Sequence, residues 1–244
     1  MKSQGDIIEE RRRIWERKPI LRRLYHRWYR LIGEAIRPGR TLELGGGSGN
    51  LKEFFPGTIT SDILFAPWLD VVLDAHFLPF KKESLDNIVL FDVLHHLSRP
   101  ARFFGEAEKV LRPGGRVVMM EPYVSWFSYV VYRYFHPEGL DGKVDPYGEA
   151  FGGSGKEAFK GNQSIPSLMF IKYGRRFARE FPGFRVIRID TMDFLVYPLS
   201  GGFHNPSLCP VFAFPMLERL ERWLKPFRSF LAFRMLVVIE KRAK

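Results

Sequence analysis

The chain has 244 residues, 45% of them hydrophobic, and a formal net charge of +11. This length and apolar content suffice for one α/β domain with an appendage. The single cysteine, Cys209, excludes an internal disulfide and a cysteine-based zinc site, and the charge indicates an anionic partner such as nucleic acid, a phospholipid surface or a phosphate-bearing substrate.

The chain begins with a basic segment. Residues 7–36 are predicted to be helical, with a break at Pro19, and arginines fill the face opposite an apolar stripe. The stripe consists of Ile20, Leu21, Leu24, Trp28, Leu31, Ile32 and Ile36. Two interpretations stay open: a helix that packs on the domain and covers its pocket, or a basic amphipathic helix on an anionic membrane. We assign 1–37 to this segment and 38–244 to the main domain.

A glycine-rich turn follows the first predicted strand. Residues 41–49 read TLELGGGSG, and we expect a helix to begin near Asn50. Glycines permit positive φ angles and let a ligand approach the backbone closely. A helix N-terminus adds free N–H groups and a partial positive charge. Together, these features predict a site for a nucleotide-like ligand.

Two further strands are predicted to end in acidic residues. The segment TITSDI (58–63) places Asp62 at a strand tip, where its carboxylate can accept both hydroxyls of a ribose. The segment 70–80 is predicted to be a third strand that brings Asp74 and Ala75 to the same edge. A carboxylate there can accept a hydrogen bond from an adenine amine.

The order of motifs in residues 38–122 resembles the class I S-adenosylmethionine-dependent methyltransferases. The matching segments are ELGGGSG, TSDI, LDAHFLPF, LDNIVLFDVLHHL and EKVLRPGGRVVMMEP. The resemblance is greatest to the methyltransferase type 11 branch, which includes the quinone-biosynthesis C-methyltransferases. It implies an α/β fold with a Rossmann-like, seven-stranded, mostly parallel sheet, helices on both faces and an antiparallel last strand. It also implies S-adenosylmethionine as the cofactor.

The same resemblance assigns the cofactor-binding residues. The glycine loop would hold the methionine part, Asp62 the ribose and Asp74 the adenine, while Phe91 would lie under the methionine amino group. The expected set is Glu43, Gly45, Gly46, Gly47, Gly49, Asp62, Ile63, Asp74, Ala75 and Phe91. No Gly-Lys-Ser/Thr follows the loop, so a P-loop is excluded. The glycine spacing of two also differs from the G-x-G-x-x-G of NAD-binding folds.

Two insertions are expected, at about 123–165 and 191–213. The aromatic run YVSWFSYVVYRYF (123–135) follows the fifth strand and is either core or a wall of the substrate site; we favour core. Glycine is frequent in 136–165, which predicts a mobile loop serving as a lid.

The last third is predicted to contain a helix (166–181), a strand (184–190), a second helix (214–232) and the closing strand (233–240). Apolar residues of the second helix alternate with basic residues. The apolar residues are Met216, Leu217, Leu220, Trp223, Leu224, Phe227, Phe230 and Leu231. We favour core packing for this helix, with a lipid-facing surface as the alternative.

The best candidates for a general base are His95 and His96, just beyond the fourth strand. For an oxygen or carbon acceptor the protein must remove a proton, and imidazole titrates near neutral pH. His136 and His204 in the insertions and Glu121 at the fifth strand tip are further candidates. The acids after the strands show no metal-ligand spacing, so no metal is expected.

The predicted function is transfer of a methyl group to a small-molecule acceptor that is apolar or lipid-linked, such as a glycan or a prenylated ring. The resemblance, the 23 Phe, 9 Tyr and 5 Trp residues and the two basic amphipathic ends favour it. The alternatives are an RNA-directed methyltransferase and a non-catalytic regulatory protein that binds S-adenosylmethionine. No RNA-binding motif is present, which disfavours a nucleic-acid partner.

The expected location is the cytoplasm, with peripheral contact to an anionic membrane. The start MKSQGDIIEERRR has no apolar core of the secretory type, and no run of about 18 apolar residues occurs. We therefore expect neither a signal peptide nor a transmembrane helix. The sequence carries no signal for an oligomeric state.

Overall fold

The computed structural model describes residues 4–136, 138–148 and 161–243. Within these ranges the strands are β1 (Thr41–Leu44), β2 (Ile59–Asp62), β3 (Val71–Val72), β4 (Leu85–Phe91), β5 (Leu111–Pro122), β6 (Phe184–Met192) and β7 (Arg234–Lys241). The α-helices in the same ranges are α1 (Gln4–Arg17), α2 (Pro19–Ala35), α3 (Pro100–Val110), α4 (Trp126–Phe135), α5 (Ile165–Ser167), α6 (Gly174–Glu180), α7 (Val196–Ser200), α8 (Phe214–Trp223) and α9 (Arg228–Leu231).

The described strands form one seven-stranded sheet in the order β3-β2-β1-β4-β5-β7-β6. Strands β1 to β5 are parallel, and β7 runs antiparallel between β5 and β6. The central strands of the sheet are continuous apolar runs because helices cover both of its faces. On one face α3 packs with Phe103 and Phe104 against Ile88 and Leu90. This architecture confirms the predicted Rossmann-like fold and the antiparallel last strand.

Two local predictions in the first half are wrong. The predicted third strand, 70–80, is reduced to β3, because the chain turns at Asp74, whose backbone oxygen accepts a hydrogen bond from the Phe77 N–H. The expected helix near Asn50 is only a 3₁₀ turn, Asn50–Glu53. Pro56 lies three residues after this turn and disfavours a helical conformation in Phe55, the residue before it.

The basic N-terminal segment folds back onto the sheet. Its helices α1 and α2 break at Pro19, as predicted. The apolar stripe of α2 is buried against Val89, Val118 and Val238 of the sheet. The interpretation of this helix as a cover on the domain is therefore confirmed, and its stripe is not free to contact a membrane. The division into 1–37 and 38–244 stays a prediction.

A buried polar clamp fixes α2 to the segment after β6. The Trp28 Nε1–H donates to Asp193 Oδ2 over 2.7 Å, and the Arg27 guanidinium donates to Asp193 Oδ1 and, over 3.2 Å, to Glu221 Oε2. The other oxygen of Glu221 accepts the backbone N–H groups of residues 194–196 at 2.8–2.9 Å. Because Trp28 and Arg27 lie on α2, this clamp holds the N-terminal helix over the sheet.

Core packing was the wrong expectation for two aromatic segments. In α4, Trp126, Tyr134 and Phe135 are each about three-quarters exposed. The predicted helix 214–232 is interrupted by a 3₁₀ turn, Lys225–Phe227, and exposes Trp223, Phe227 and Phe230.

The predicted lid, 136–165, lies partly outside the described residues, since 137 and 149–160 are not described. Its two described ends meet where Gly139 pairs with Asn162. Its role as a lid stays a prediction. None of the helices in the described ranges is both long and apolar enough to span a bilayer.

Replacement of Asp193 tests the clamp. Asp193→Ala should lower the free energy of unfolding by about 3 kcal/mol, because the buried Trp28 Nε1–H and one N–H group of Arg27 lose their acceptor. Urea denaturation measures this change. The control is Glu9→Ala, which breaks an exposed pair with Arg13 and should change stability by less than about 1 kcal/mol. Equal stability of the two variants would contradict the clamp.

Candidate functional site

A cavity of about 1060 Å³ opens at the carboxyl ends of β1, β2 and β4. Its volume lies at the upper end of ordinary ligand sites, enough for a nucleoside and a second molecule. Nine of the ten expected cofactor-binding residues line it: Glu43, Gly45, Gly46, Gly47, Asp62, Ile63, Asp74, Ala75 and Phe91. The tenth, Gly49, packs behind the loop, since a Cβ there would lie 2.8 Å from Trp68.

The glycine loop is held in a fixed shape. Three of its glycines have left-handed conformations that side chains disfavour: Gly45 (φ 67°), Gly47 (φ 43°) and Gly49 (φ 75°). The Gly46 N–H donates to the Ser61 carbonyl at 2.8 Å, and Trp68 Nε1–H donates to the Gly47 carbonyl at 2.8 Å. A Cβ at Gly47 would meet nothing closer than 3.9 Å, so the loop leaves open space on the cavity side.

Asp62 ties the tip of β2 to this loop. Its Oδ2 accepts the Gly47 N–H at 3.0 Å, and its Oδ1 accepts the Leu64 N–H at 2.9 Å. Burial raises the pKa of Asp62, and these backbone hydrogen bonds oppose the rise. Each carboxylate oxygen keeps a lone pair, so Asp62 can still accept the hydroxyls of a ribose.

Glu43 is buried in the cavity wall with Oε2 lacking a hydrogen-bond partner within the described residues. Burial, followed by the charge of Asp62, raises the pKa of Glu43 to about 8. A buried acid without a partner is costly, and a cation or hydrogen-bond donor in the cavity would relieve that cost. The residues present therefore fit S-adenosylmethionine, which carries both an ammonium and a sulfonium group.

Asp74 lies at the other end of the cofactor half. Its Oδ1 accepts from the backbone N–H of His76 at 2.8 Å and lies 2.6 Å from His76 Nδ1. Since His76 Nε2 accepts the Arg99 N–H, the proton of this ring is on Nδ1. Asp74 Oδ2 makes no hydrogen bond to another described residue and can accept one from an adenine amine.

An ion pair missed by the sequence reasoning lies beneath Phe91. The buried Arg234 guanidinium donates to Asp92, which has a positive φ of 56°, and to the Met120 carbonyl. It stacks on three rings, those of Trp28, Phe91 and Tyr197. No motif around either residue predicts this ion pair, because β7 brings Arg234 to Asp92 from the far end of the chain.

His95 lies between two carboxylates. Its Nδ1 is 2.7 Å from Glu121 Oε2, and its Nε2 is 3.2 Å from Glu138 Oε2. Burial by itself lowers the pKa of His95, but the hydrogen bonds to the two acids raise it to about 10. The ring is therefore an imidazolium with both nitrogens engaged, and it has no lone pair for proton abstraction.

Glu121 also shapes the turn that carries both histidines. Its Oε1 accepts the backbone N–H groups of Val93 and Leu94 at 2.9 and 2.8 Å. The sequence analysis placed Glu121 among the candidate bases. In the structure both of its carboxylate oxygens accept hydrogen bonds from Val93, Leu94 or His95.

His96 is in a different state from its neighbour. Its Nδ1 is buried and has no hydrogen-bond partner among the described residues, and its Nε2 lies 3.9 Å from Glu138 Oε1, too far for a hydrogen bond. Burial, and then the charge of His95, lowers the pKa of His96 to about 4. The ring lines the cavity as a neutral imidazole with a free lone pair. Gly161 allows this packing, because a Cβ there would lie 2.9 Å from His96 Nδ1.

Glu138 is a cavity residue that the sequence analysis did not identify. It lies in the glycine-rich insertion, without a motif around it, and Gln163 Nε2 donates to it. Burial by itself raises the pKa of Glu138, but the hydrogen bond and charge of His95 hold it well below its usual range. His136 and His204 also line the cavity, and burial lowers the pKa of both.

Two groups of side chains are close enough to share a cation. The ligand atoms of His95, His96 and Glu138 lie within 4.8 Å of one another, as do those of Asp92, His95 and Glu121. The two N–H groups of His95 already donate to the acids on either side of the ring. The expectation of no metal stays a prediction.

Residues 42–119 match the family model described as a methyltransferase domain. The chain is 32% identical over 110 residues to a ubiquinone/menaquinone biosynthesis C-methyltransferase of Ruegeria sp., covering 36% of this chain and 44% of the relative. It is 44% identical over 66 residues to an uncharacterized 37.1 kDa protein in a transposon of Streptomyces fradiae, covering 27% of this chain and 19% of that one. The chain thus spans at most about half the length of these curated relatives.

Solved structures show the same fold. A S-adenosylmethionine-dependent methyltransferase from Archaeoglobus fulgidus superposes with a TM-score of 0.55 at 14% identity, over 94% of this chain and 98% of that one. A possible histamine N-methyltransferase from Thermotoga maritima also gives 0.55, at 18% identity, over 98% of this chain and 97% of the other.

Asp62→Ala should weaken S-adenosylmethionine binding by roughly 100-fold or more, because two charge-assisted hydrogen bonds are lost. Isothermal titration calorimetry measures the affinity. The matched control, Asp190→Asn, changes an acid on β6 that pairs with Arg188 and does not line the cavity. Wild-type affinity in Asp62→Ala would show that the ribose is held elsewhere.

Glu43 should make cofactor binding depend on pH. With a pKa of about 8 the free protein holds this acid mostly protonated at pH 7, so binding of a cation releases its proton. Affinity should then rise about tenfold per pH unit below pH 8 and level off above it. Titrations in two buffers of different ionisation enthalpy count the protons.

Glu43→Gln is the control for the number of protons released on binding. Any proton that this variant still releases comes from another group, such as the cofactor's own amino group. The same proton release in both proteins would rule out the role of Glu43.

Proposed function

We propose that this chain, which carries a class I S-adenosylmethionine-dependent methyltransferase domain, transfers a methyl group to an apolar or lipid-linked small molecule, a prenylated ring in particular. One observation carries the proposal. A single cavity joins the glycine loop and Asp62 at one end to a neutral His96 at the other, with apolar side chains at its mouth. The ubiquinone/menaquinone relatives support a ring acceptor.

The cofactor half is held by backbone and acids. The glycine loop, Asp62, Asp74 and Glu43 would bind S-adenosylmethionine, which supplies an electrophilic methyl group when bound. The protein's own task is to place an acceptor in line with that group and to keep water away.

Proton removal falls to His96. An oxygen or carbon acceptor must lose a proton. The neutral ring of His96 lines the cavity and has one unprotonated nitrogen, whereas both nitrogens of His95 are engaged. His95 is a positioning residue, because it holds the Glu138 carboxylate beside His96. A base with a pKa of about 4 abstracts only a relatively acidic proton, such as the hydroxyl of an aromatic ring. This argument favours a prenylated ring over the alcohols of a glycan.

Apolar side chains at the cavity mouth support an acceptor with a hydrocarbon tail. The residues are Val131, Phe135, Phe203 and Leu208, and Leu208 is 78% exposed. An isoprenoid chain along this mouth would bury apolar surface that otherwise faces water.

His96→Gln should lower kcat by at least about 100-fold, as expected for loss of a general base, and leave cofactor affinity unchanged. The assay measures S-adenosylhomocysteine released with a short-chain prenylated hydroquinone as acceptor. His26→Gln is the control, since this ring packs on Phe54 and does not line the cavity.

The pH profile gives an independent readout. A base is active when deprotonated, so kcat should stay level from pH 8 to 6 and fall only as pH approaches about 4. An unchanged kcat in His96→Gln would refute the base. Methylation of lipid-linked glycans, with no methylation of any prenylated ring, would refute the proposed ring acceptor.

A further inference from the structure

An aromatic and basic surface lies beside the cavity mouth. On α4, the exposed side chains include Trp126, Tyr129, Val130, Arg133, Tyr134 and Phe135. Helix α9 packs against α4, and the segment 222–230 exposes Arg222, Trp223, Lys225, Phe227, Arg228 and Phe230. We call these two sets the aromatic–basic face.

Helix α4 is held firmly in the fold although many of its side chains are exposed. Ser125 caps the helix, and its side chain and that of Ser128 exchange hydrogen bonds with each other's backbone N–H. From the inner side of the helix, the Tyr132 hydroxyl donates to the Phe233 carbonyl at 2.6 Å. With Ser128 and Tyr132 turned inward, Trp126 at 80% exposure faces out. A rigid apolar surface of this kind marks a contact site.

The charge of the face selects the occupant. Helix α4 contains no acid, and the two acids of α8, Glu218 and Glu221, are bound inward by Arg27. The exposed cations of the face form no ion pair with any described residue: Arg133, Arg222, Lys225 and Arg228. Helix α4 and the segment 222–230 thus combine exposed cations with aromatic rings and contain no acid, which complements an anionic surface.

Aromatic rings flanked by unpaired cations are the chemistry of a membrane interface. Trp and Tyr prefer the boundary between headgroups and hydrocarbon, and Lys and Arg are attracted to anionic lipids. We propose that the aromatic–basic face docks this protein on a bilayer leaflet that contains anionic phospholipid. The proposal rests on the proposed function, since it names the surface from which a lipid-linked acceptor would arrive.

The face is continuous with the cavity. Phe135 belongs to both, and Val131 of α4 lines the cavity beside it. A prenyl tail could pass from the bilayer into the cavity without crossing water. The contact thus differs in place from the one that the N-terminal stripe suggested, which is buried against the sheet.

Vesicle co-sedimentation tests the docking. The wild-type protein should bind phosphatidylcholine vesicles that contain phosphatidylglycerol, bind pure phosphatidylcholine vesicles far more weakly, and be released in part by high salt. Trp fluorescence should shift to the blue on binding, because Trp126 and Trp223 leave water. Trp126→Gln/Trp223→Gln and Arg222→Gln/Lys225→Gln/Arg228→Gln should each bind about tenfold more weakly or worse.

Matched controls lie elsewhere on the surface. Phe65→Gln replaces an aromatic ring of 75% exposure, and Arg175→Gln/Arg179→Gln removes two exposed cations that have no ion pair within the described residues. Both should bind vesicles like the wild type. Equal loss in the controls, or no binding by the wild type, would overturn the proposal. So would a wild-type dimer that ignores vesicles and becomes a monomer in Trp126→Gln/Trp223→Gln.

A parallel assay separates this inference from the proposed function. Methyl transfer to a soluble, short-chain acceptor should be the same in the wild type and the aromatic variant, since neither Trp126 nor Trp223 lines the cavity. Transfer without vesicle binding overturns only the docking. Vesicle binding that the variants lose, without transfer to any ring, upholds the docking and overturns the function.

Discussion

The reactive end of the cavity depends on one buried carboxylate, Glu121. One oxygen accepts two backbone N–H groups of the turn after β4, and the other accepts the proton of His95. Because Glu121 stands on β5, these hydrogen bonds anchor that turn to the sheet. The charge held on His95 fixes Glu138, and burial together with that charge keeps His96 neutral. A single acid therefore sets the backbone, the protonation and the position of the groups that would meet an acceptor.

The two ends of the cavity solve different problems. At the cofactor end, the polar groups are mostly backbone N–H groups and carbonyls, and glycines keep that backbone accessible. The acids there, Glu43 and Asp62, are both shifted toward the neutral form by burial. A cation bound at this end would favour the deprotonated form of both acids. At the other end the carboxylates of Asp92, Glu121 and Glu138 each accept a hydrogen bond from Arg234 or His95, so an apolar molecule that entered would not deprive them of a partner.

Sequence patterns predicted what is local. The glycine loop and the place of Asp62 at a strand tip follow from short runs of sequence, and the mostly parallel sheet with its antiparallel last strand follows from the family that residues 38–122 resemble. Glu138 and Arg234 could not be found in this way. Glu138 is placed by the pairing of Gly139 with Asn162 across an insertion, and Arg234 reaches Asp92 only because β7 enters the sheet beside β5. Both contacts are products of topology, and no periodicity in the neighbouring residues encodes them.

Amphipathic periodicity also did not predict whether the apolar side of a helix is buried in the protein or exposed. Helices α2 and α8 both alternate apolar and basic residues, yet α2 is buried and most of α8 is exposed. The difference lies in available partners, because α2 occupies the face formed by β4, β5 and β7 and supplies Arg27 to the acids of α8. The outer side of α8 then has cations without acids, next to the exposed rings of α4 and α9. No described part of the chain covers these side chains, and the proposed anionic bilayer would supply both the apolar medium and the counter-charge that they lack.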